Sequence, residues 1–119
     1  MLLTIKNENI QVSVDTLGAQ IMSIQSVDGC EYLWQGDEKY WSDRAPLLFP
    51  FIARLYGEKY TYRGKEYKLP IHGFAAHMEF THQLSGNTLT MVLKSSEETL
   101  SCYPFPFTLT VNFVLEDAT

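Results

Sequence analysis

Basic residues, cysteines and long apolar runs are all scarce in this 119-residue sequence. Nine lysines and arginines stand against fourteen acids, for a net charge of −5. That balance repels a phosphate backbone and supplies no counterion-release term, so nucleic acid is not an expected partner. There are two cysteines, Cys30 and Cys102, with no CxxC and no Cys/His ligand spacing. They read as reduced thiols rather than a disulfide or a metal site. The opening "MLLTIKNENIQVSV" reaches polar residues after three positions. It therefore lacks the apolar run of a signal peptide or membrane span, and the expectation is a cytoplasmic chain with no membrane partner. GxSxG, P-loop and Cys–His nucleophile patterns are absent too.

What is present is mostly period-two alternation. Hydrophobic residues make up 45% of the chain and charged residues 19%, the balance of an ordinary folded domain rather than a disordered one. In "FPFTLTVNFVL", Phe105, Phe107, Leu109, Val111, Phe113 and Leu115 share one face, which predicts a long strand with one side on a core. "IQVSV" repeats the pattern with Ile10, Val12 and Val14. "AQIMSIQSV" is apolar on both faces in its middle and reads as an inner strand.

Turn chemistry fits between these runs. Arg63-Gly64 and Gly86-Asn87 are placed to close tight hairpins, and Asp28-Gly29 a third turn. In "GDEKYWSD", Asp37 is placed to cap a single turn, and no helix of three turns or more is expected. Short strands separated by Gly, Asn and Asp turns, with no repeat or linker, predict one all-β domain, an antiparallel β-sandwich or barrel, over residues 1–119. The sequence stops just after a strand, which reads as an open sheet edge and as a fragment of a longer sandwich.

Two stretches carry candidate chemistry. In "LPIHGFAAH", His72 lies between a proline, which ends a ladder, and a glycine, which lets backbone bend or approach a ligand. Spacing alone leaves it either a binding group at a strand rim or a turn residue that hydrogen-bonds the backbone. His72, His77 and His82 cannot share a metal ion along an extended strand, because ten residues span about 33 Å. Glu79, two residues from His77, reads as an exposed polar pair with it. In "WSDRAPLLFPFIARLYG", Arg44 and Arg54 flank an apolar run containing two prolines. Their planar guanidinium groups suit a hydroxyl or carboxylate clamp, against the plainer reading of surface pairing with Asp37, Asp43 or Glu58. Aromatic residues form 13% of the chain. They could stack on sugar faces, but their alternation favours core packing for most.

The segment "APLLFPFIARLYGEKYTYRGKEYKLPIHGFAAHMEF" resembles the aldose 1-epimerase (galactose mutarotase-like) family. "LGAQIMSIQSVDGCEYLW" is similar to that family's opening, and "CYPFPFTLTVNFVL" to its middle strand. The resemblance implies an N-terminal portion of a large antiparallel β-sandwich whose parent activity interconverts the α and β anomers of free aldoses without a cofactor. In the family's mechanism a glutamate and a histidine exchange protons with the sugar, and the resemblance puts both beyond Thr119, leaving this chain no catalytic pair. It matches Arg54 and His72 to substrate-binding residues, and Arg44 to an arginine of the sugar-phosphate branch. Ala76 stands where many relatives have arginine, which weakens a sugar-phosphate reading. The expected partner is a small-molecule sugar, with a homodimer through the open edge as a further expectation. Alternative readings are a carbohydrate-binding module without catalysis and a strand-pairing interaction protein.

Overall fold

The alternation in "IQVSV" produces β2 (Ile10–Asp15), which buries Val12 and Val14 and pairs on both sides. Its neighbours are β1 (Leu2–Lys6) and β3 (Gln20–Ser26), both antiparallel to it. The computed structural model, which describes residues 1–119, continues with the hairpin β4 (Lys59–Tyr62) and β5 (Lys65–Lys68). A second three-stranded antiparallel sheet follows, in the order β6 (Thr81–Ser85), β7 (Thr88–Lys94), β8 (Thr108–Val114). One short helix, α1 (Glu97–Cys102), links β7 to β8.

Both three-stranded sheets feed one core. Ile5, Val12 and Val14 from the first meet Leu89, Met91 and Leu93 from the second, with Phe80 and Leu115 in the same cluster. Burying such side chains is worth about 1.5–3 kcal/mol each, so this contact between inner faces holds the partial sandwich together. The half-buried Leu109, Val111 and Phe113 of β8 pack against its margin. The expected alternation along β8 is present, but its ladder begins at Thr108. Upstream, Phe105 and Phe107 belong to an aromatic cluster with Phe49, Phe74 and Tyr103, whose ring centroids lie 4.9–6.1 Å apart.

The predicted turns form. Arg63 and Gly64 take φ of 49° and 78° between Tyr62 and Lys65, the mirror-image turn that suits a two-residue hairpin. Gly86 has φ 59° at the β6–β7 turn, and the Gly29 N–H donates to the Ser26 carbonyl at 3.0 Å. Asp37 accepts from the Lys39 N–H at 2.9 Å in a single turn.

The reading of β3 as an inner strand is corrected, since β2 occupies the middle of the order β1-β2-β3. The outer side of β3 is covered by non-strand chain, through isolated bridges from Ile21 to Ala45 and from Gln25 to Glu31. Glu31 strengthens that cover. Its carboxylate accepts from Ser23 Oγ at 2.5 Å, from the Ile24 N–H at 2.8 Å and from the Leu33 N–H at 3.0 Å. Desolvation pushes the Glu31 carboxyl up, but these donors outweigh it and hold the group below its ordinary value of 4.5.

Candidate functional site

The chain leaving β5 buries Leu69 and then reaches Pro70, which has no N–H to extend the ladder. A turn follows, with the Gly73 N–H donating to the Pro70 carbonyl at 3.0 Å. Gly73, at φ 79°, lies hard against the segment before the second proline. A Cβ there would stand 2.2 Å from the Phe49 carbonyl oxygen and 2.5 Å from Pro50 Cδ. With no side chain in the way, the Phe49 carbonyl accepts from the N–H groups of Phe74 at 3.0 Å and Ala75 at 3.3 Å. On the other flank, Gly18 donates to the Met78 carbonyl at 2.8 Å, and Leu17 bridges Glu79. The "HGFAAH" stretch is thus fastened to two distant parts of the chain.

Within this frame His72 grips Ala53 at two points. The His72 N–H donates to the Ala53 carbonyl at 2.8 Å, and the Ala53 N–H donates to His72 Nδ1 at 2.8 Å. Both residues have left-handed backbone, φ 64° at His72 and 73° at Ala53, which costs L-residues about 1–2 kcal/mol each. His72 Nε2 has no protein partner, and no polar side-chain atom is both buried and unsatisfied, so this nitrogen faces solvent. The turn reading therefore describes one nitrogen of the ring, which staples the backbone, while the other is left without a protein partner.

His72 lines a surface cavity of about 330 Å³, together with His77, Gln20, Asp43, Pro46 and Ile71. That volume is at the small end of ligand pockets. Arg54 follows Ala53 directly and is exposed; neither it nor Arg44 forms an ion pair with an acid. Arg54 is outside the cavity lining, so it joins His72 through the backbone of Ala53 and not through a shared wall. Arg44 lies elsewhere. Its Nη1 donates to the Met22 carbonyl on β3, and its N–H reaches Gln20 Oε1 at 3.4 Å, which ties the 44–45 segment to the sheet.

Sequence reasoning missed Ala53, Gln20 and Asp43. Nothing in an alanine side chain announces that its amide will hold an imidazole. Gln20 Oε1 also accepts from the Ala45 N–H at 3.2 Å, a bond between positions 25 residues apart. Glu79 and His77 are both exposed, and neither side chain has a hydrogen-bond partner in the protein. Burial pushes the Cys102 thiol up, which disfavours the nucleophilic thiolate at neutral pH.

The family model for aldose 1-epimerase matches residues 1–119. The plasmid-encoded protein LacX of Lactococcus lactis subsp. lactis is 38% identical over 121 residues, which cover 97% of this chain and 40% of LacX. A galactose mutarotase related enzyme from Lactobacillus acidophilus superimposes with a TM-score of 0.95 at 39% identity, covering 98% of this chain and 40% of that one. A galactose mutarotase-like protein from Lactobacillus casei gives 0.94 at 33% identity, over 98% and 40% of the two chains. The chain therefore spans about 40% of the length of the curated relatives it matches.

Proposed function

The chain belongs to the aldose 1-epimerase family, and from that premise we propose that it acts on or binds free aldoses such as glucose or galactose. In this reading residues 1–119 are the N-terminal part of a galactose mutarotase-like sandwich, with the sugar as partner and no cofactor. His72 and Arg54 orient sugar hydroxyls, and Arg44, also expected to bind substrate, acts only through the segment it ties to β3 next to Asp43 of the cavity wall. The observation that carries the proposal is the free Nε2 of His72, a cavity-lining residue whose ring is held by the Ala53 amide. A neutral imidazole so fixed offers one directed donor, and the adjacent guanidinium offers several more. Cys30 and Cys102 are both free thiols, which suits the cytoplasm as the proposed location.

Binding and proton transfer are assigned separately. The 119 residues supply positioning groups but not the acid and base of anomer exchange. Titration with galactose, followed by NMR, is expected to give weak saturable shifts around residues 53–54 and 72–77. His72→Ala and Arg54→Ala should each weaken binding by about tenfold, the effect of one or two lost hydrogen bonds. Polarimetry of fresh α-galactose with this chain should follow the buffer rate. Spectra indifferent to sugar, or variants that bind like the wild type, would sink the binding assignment. Accelerated mutarotation would sink the division of labour.

A second reading has an observation of its own. β8 pairs with β7 on one side and with no strand on the other, which favours a strand-pairing homodimer.

A further inference from the structure

A neutral imidazole carries a single N–H, so a hydrogen bond accepted at one ring nitrogen places the proton on the other. At His72 the accepting nitrogen is Nδ1, and its donor is a backbone amide that cannot reverse its role. We infer that the Ala53 N–H locks His72 in the Nε2–H tautomer, so that its ring meets a ligand only as a donor, and that the same clasp sets the backbone from which Arg54 extends. The inference rests on the sugar reading for the identity of the ligand. It adds that the group met by His72 is an acceptor oxygen, a ring oxygen or a hydroxyl lone pair, and not a hydroxyl proton.

Three observations converge on it. The clasp is reciprocal, because the His72 N–H also donates to the Ala53 carbonyl, the carbonyl of the peptide leading into Arg54. Ala53 and His72 both hold left-handed backbone, a conformation that persists where surrounding bonds over-determine it. Nε2 has no protein partner, and His72 is among the residues that line the 330 Å³ cavity. Ala53 is thus a positioning residue acting through its amide, which no side-chain pattern would reveal.

The test is a long-range ¹H–¹⁵N spectrum of the histidine side chains in the 119-residue protein at about pH 8, where histidines are neutral. The expected result is a protonated Nε2 and an unprotonated Nδ1 at His72. A protonated Nδ1, or a mixture of tautomers, overturns the inference. Amide exchange gives a second readout. The Ala53 amide should exchange about tenfold faster in His72→Ala, as one hydrogen bond is lost. In His72→Asn, whose side-chain oxygen lies near the position of Nδ1, protection of Ala53 should return while galactose-induced shifts remain lost. Equal Ala53 exchange in all three proteins overturns the inference. The tautomer spectrum needs no variant and no sugar. An Nε2–H tautomer with no response to galactose upholds the clasp and counts against the sugar reading instead.

Discussion

At Gly73 the cost of a single methyl group can be read from distances. An added Cβ would meet the Phe49 carbonyl oxygen at 2.2 Å and Pro50 Cδ at 2.5 Å, and both belong to backbone or ring that cannot swing aside. Gly64 has nearly the same φ, 78° against 79°, but open space around its Cβ position. The pair therefore separates contact from conformation. Gly64→Ala should cost about 1 kcal/mol from backbone strain alone. Gly73→Ala should cost at least about 3 kcal/mol and also disturb the Ala53 amide, because the turn must pull away from Phe49. Urea unfolding measures both, and equal losses would show that the Phe49 contact is not tight. The motif Pro70-Ile71-His72-Gly73 was legible in the sequence because proline and glycine advertise a strand ending in a turn. Ala53 was not, since its left-handed φ goes with bonds to His72, 19 residues away, and alanine has no preference for it.

At the scale of elements, what the sequence showed was local and what it hid was long-range. The hairpins β4–β5 and β6–β7 were legible because Gly64 and Gly86 mark positive φ between alternating runs. The order of strands was not. β3 looks doubly apolar because loop chain, not a fourth strand, covers its outer side. The helix α1 was hidden for another reason. Ser96 and Thr99 form a reciprocal cap, the Thr99 N–H donating to Ser96 Oγ at 3.3 Å and the Ser96 N–H to Thr99 Oγ1 at 2.9 Å, but the usual signature has Glu or Gln in the second place. The Glu31 strap on β3 allows an element-level prediction. Its carboxyl is held below 4.5 in the fold, so its stabilisation is full above the unfolded value and fades as pH falls through the lower folded one. Glu31→Gln should therefore lose about 1 kcal/mol at pH 7, the worth of charge assistance at a half-exposed site, and almost nothing near pH 2. Thermal melts of both proteins across that range measure it. A gap that stays constant with pH would mean the charge contributes nothing to holding β3.

At the largest scale, the 119-residue chain is thin for its mass. Its extents are 56 × 35 × 21 Å, and its radius of gyration is 16.6 Å where about 13.5 Å is typical of this length. Its accessible surface is 7838 Å², against about 6,600 Å² for an ordinary folded monomer of 13.7 kDa. One side of β8 is unpaired, and beside it Leu109, Val111 and Phe113 stay only half buried. Residues 108–114 contain no charge and no proline, the devices by which natural edges refuse new partners. Antiparallel pairing of β8 with a second copy would join the two sheets through the backbone and bring the half-buried row under cover, although the net charge of −5 opposes close approach at low salt. Light scattering at moderate salt is therefore expected to give twice the 13.7 kDa chain mass, falling to one chain on dilution. Thr108→Lys with Thr110→Lys, both on the outward face, should return the protein to a monomer without lowering its melting temperature by more than a few degrees. A protein that is monomeric at every concentration, or a dimer untouched by the two lysines, would place self-association away from this strand.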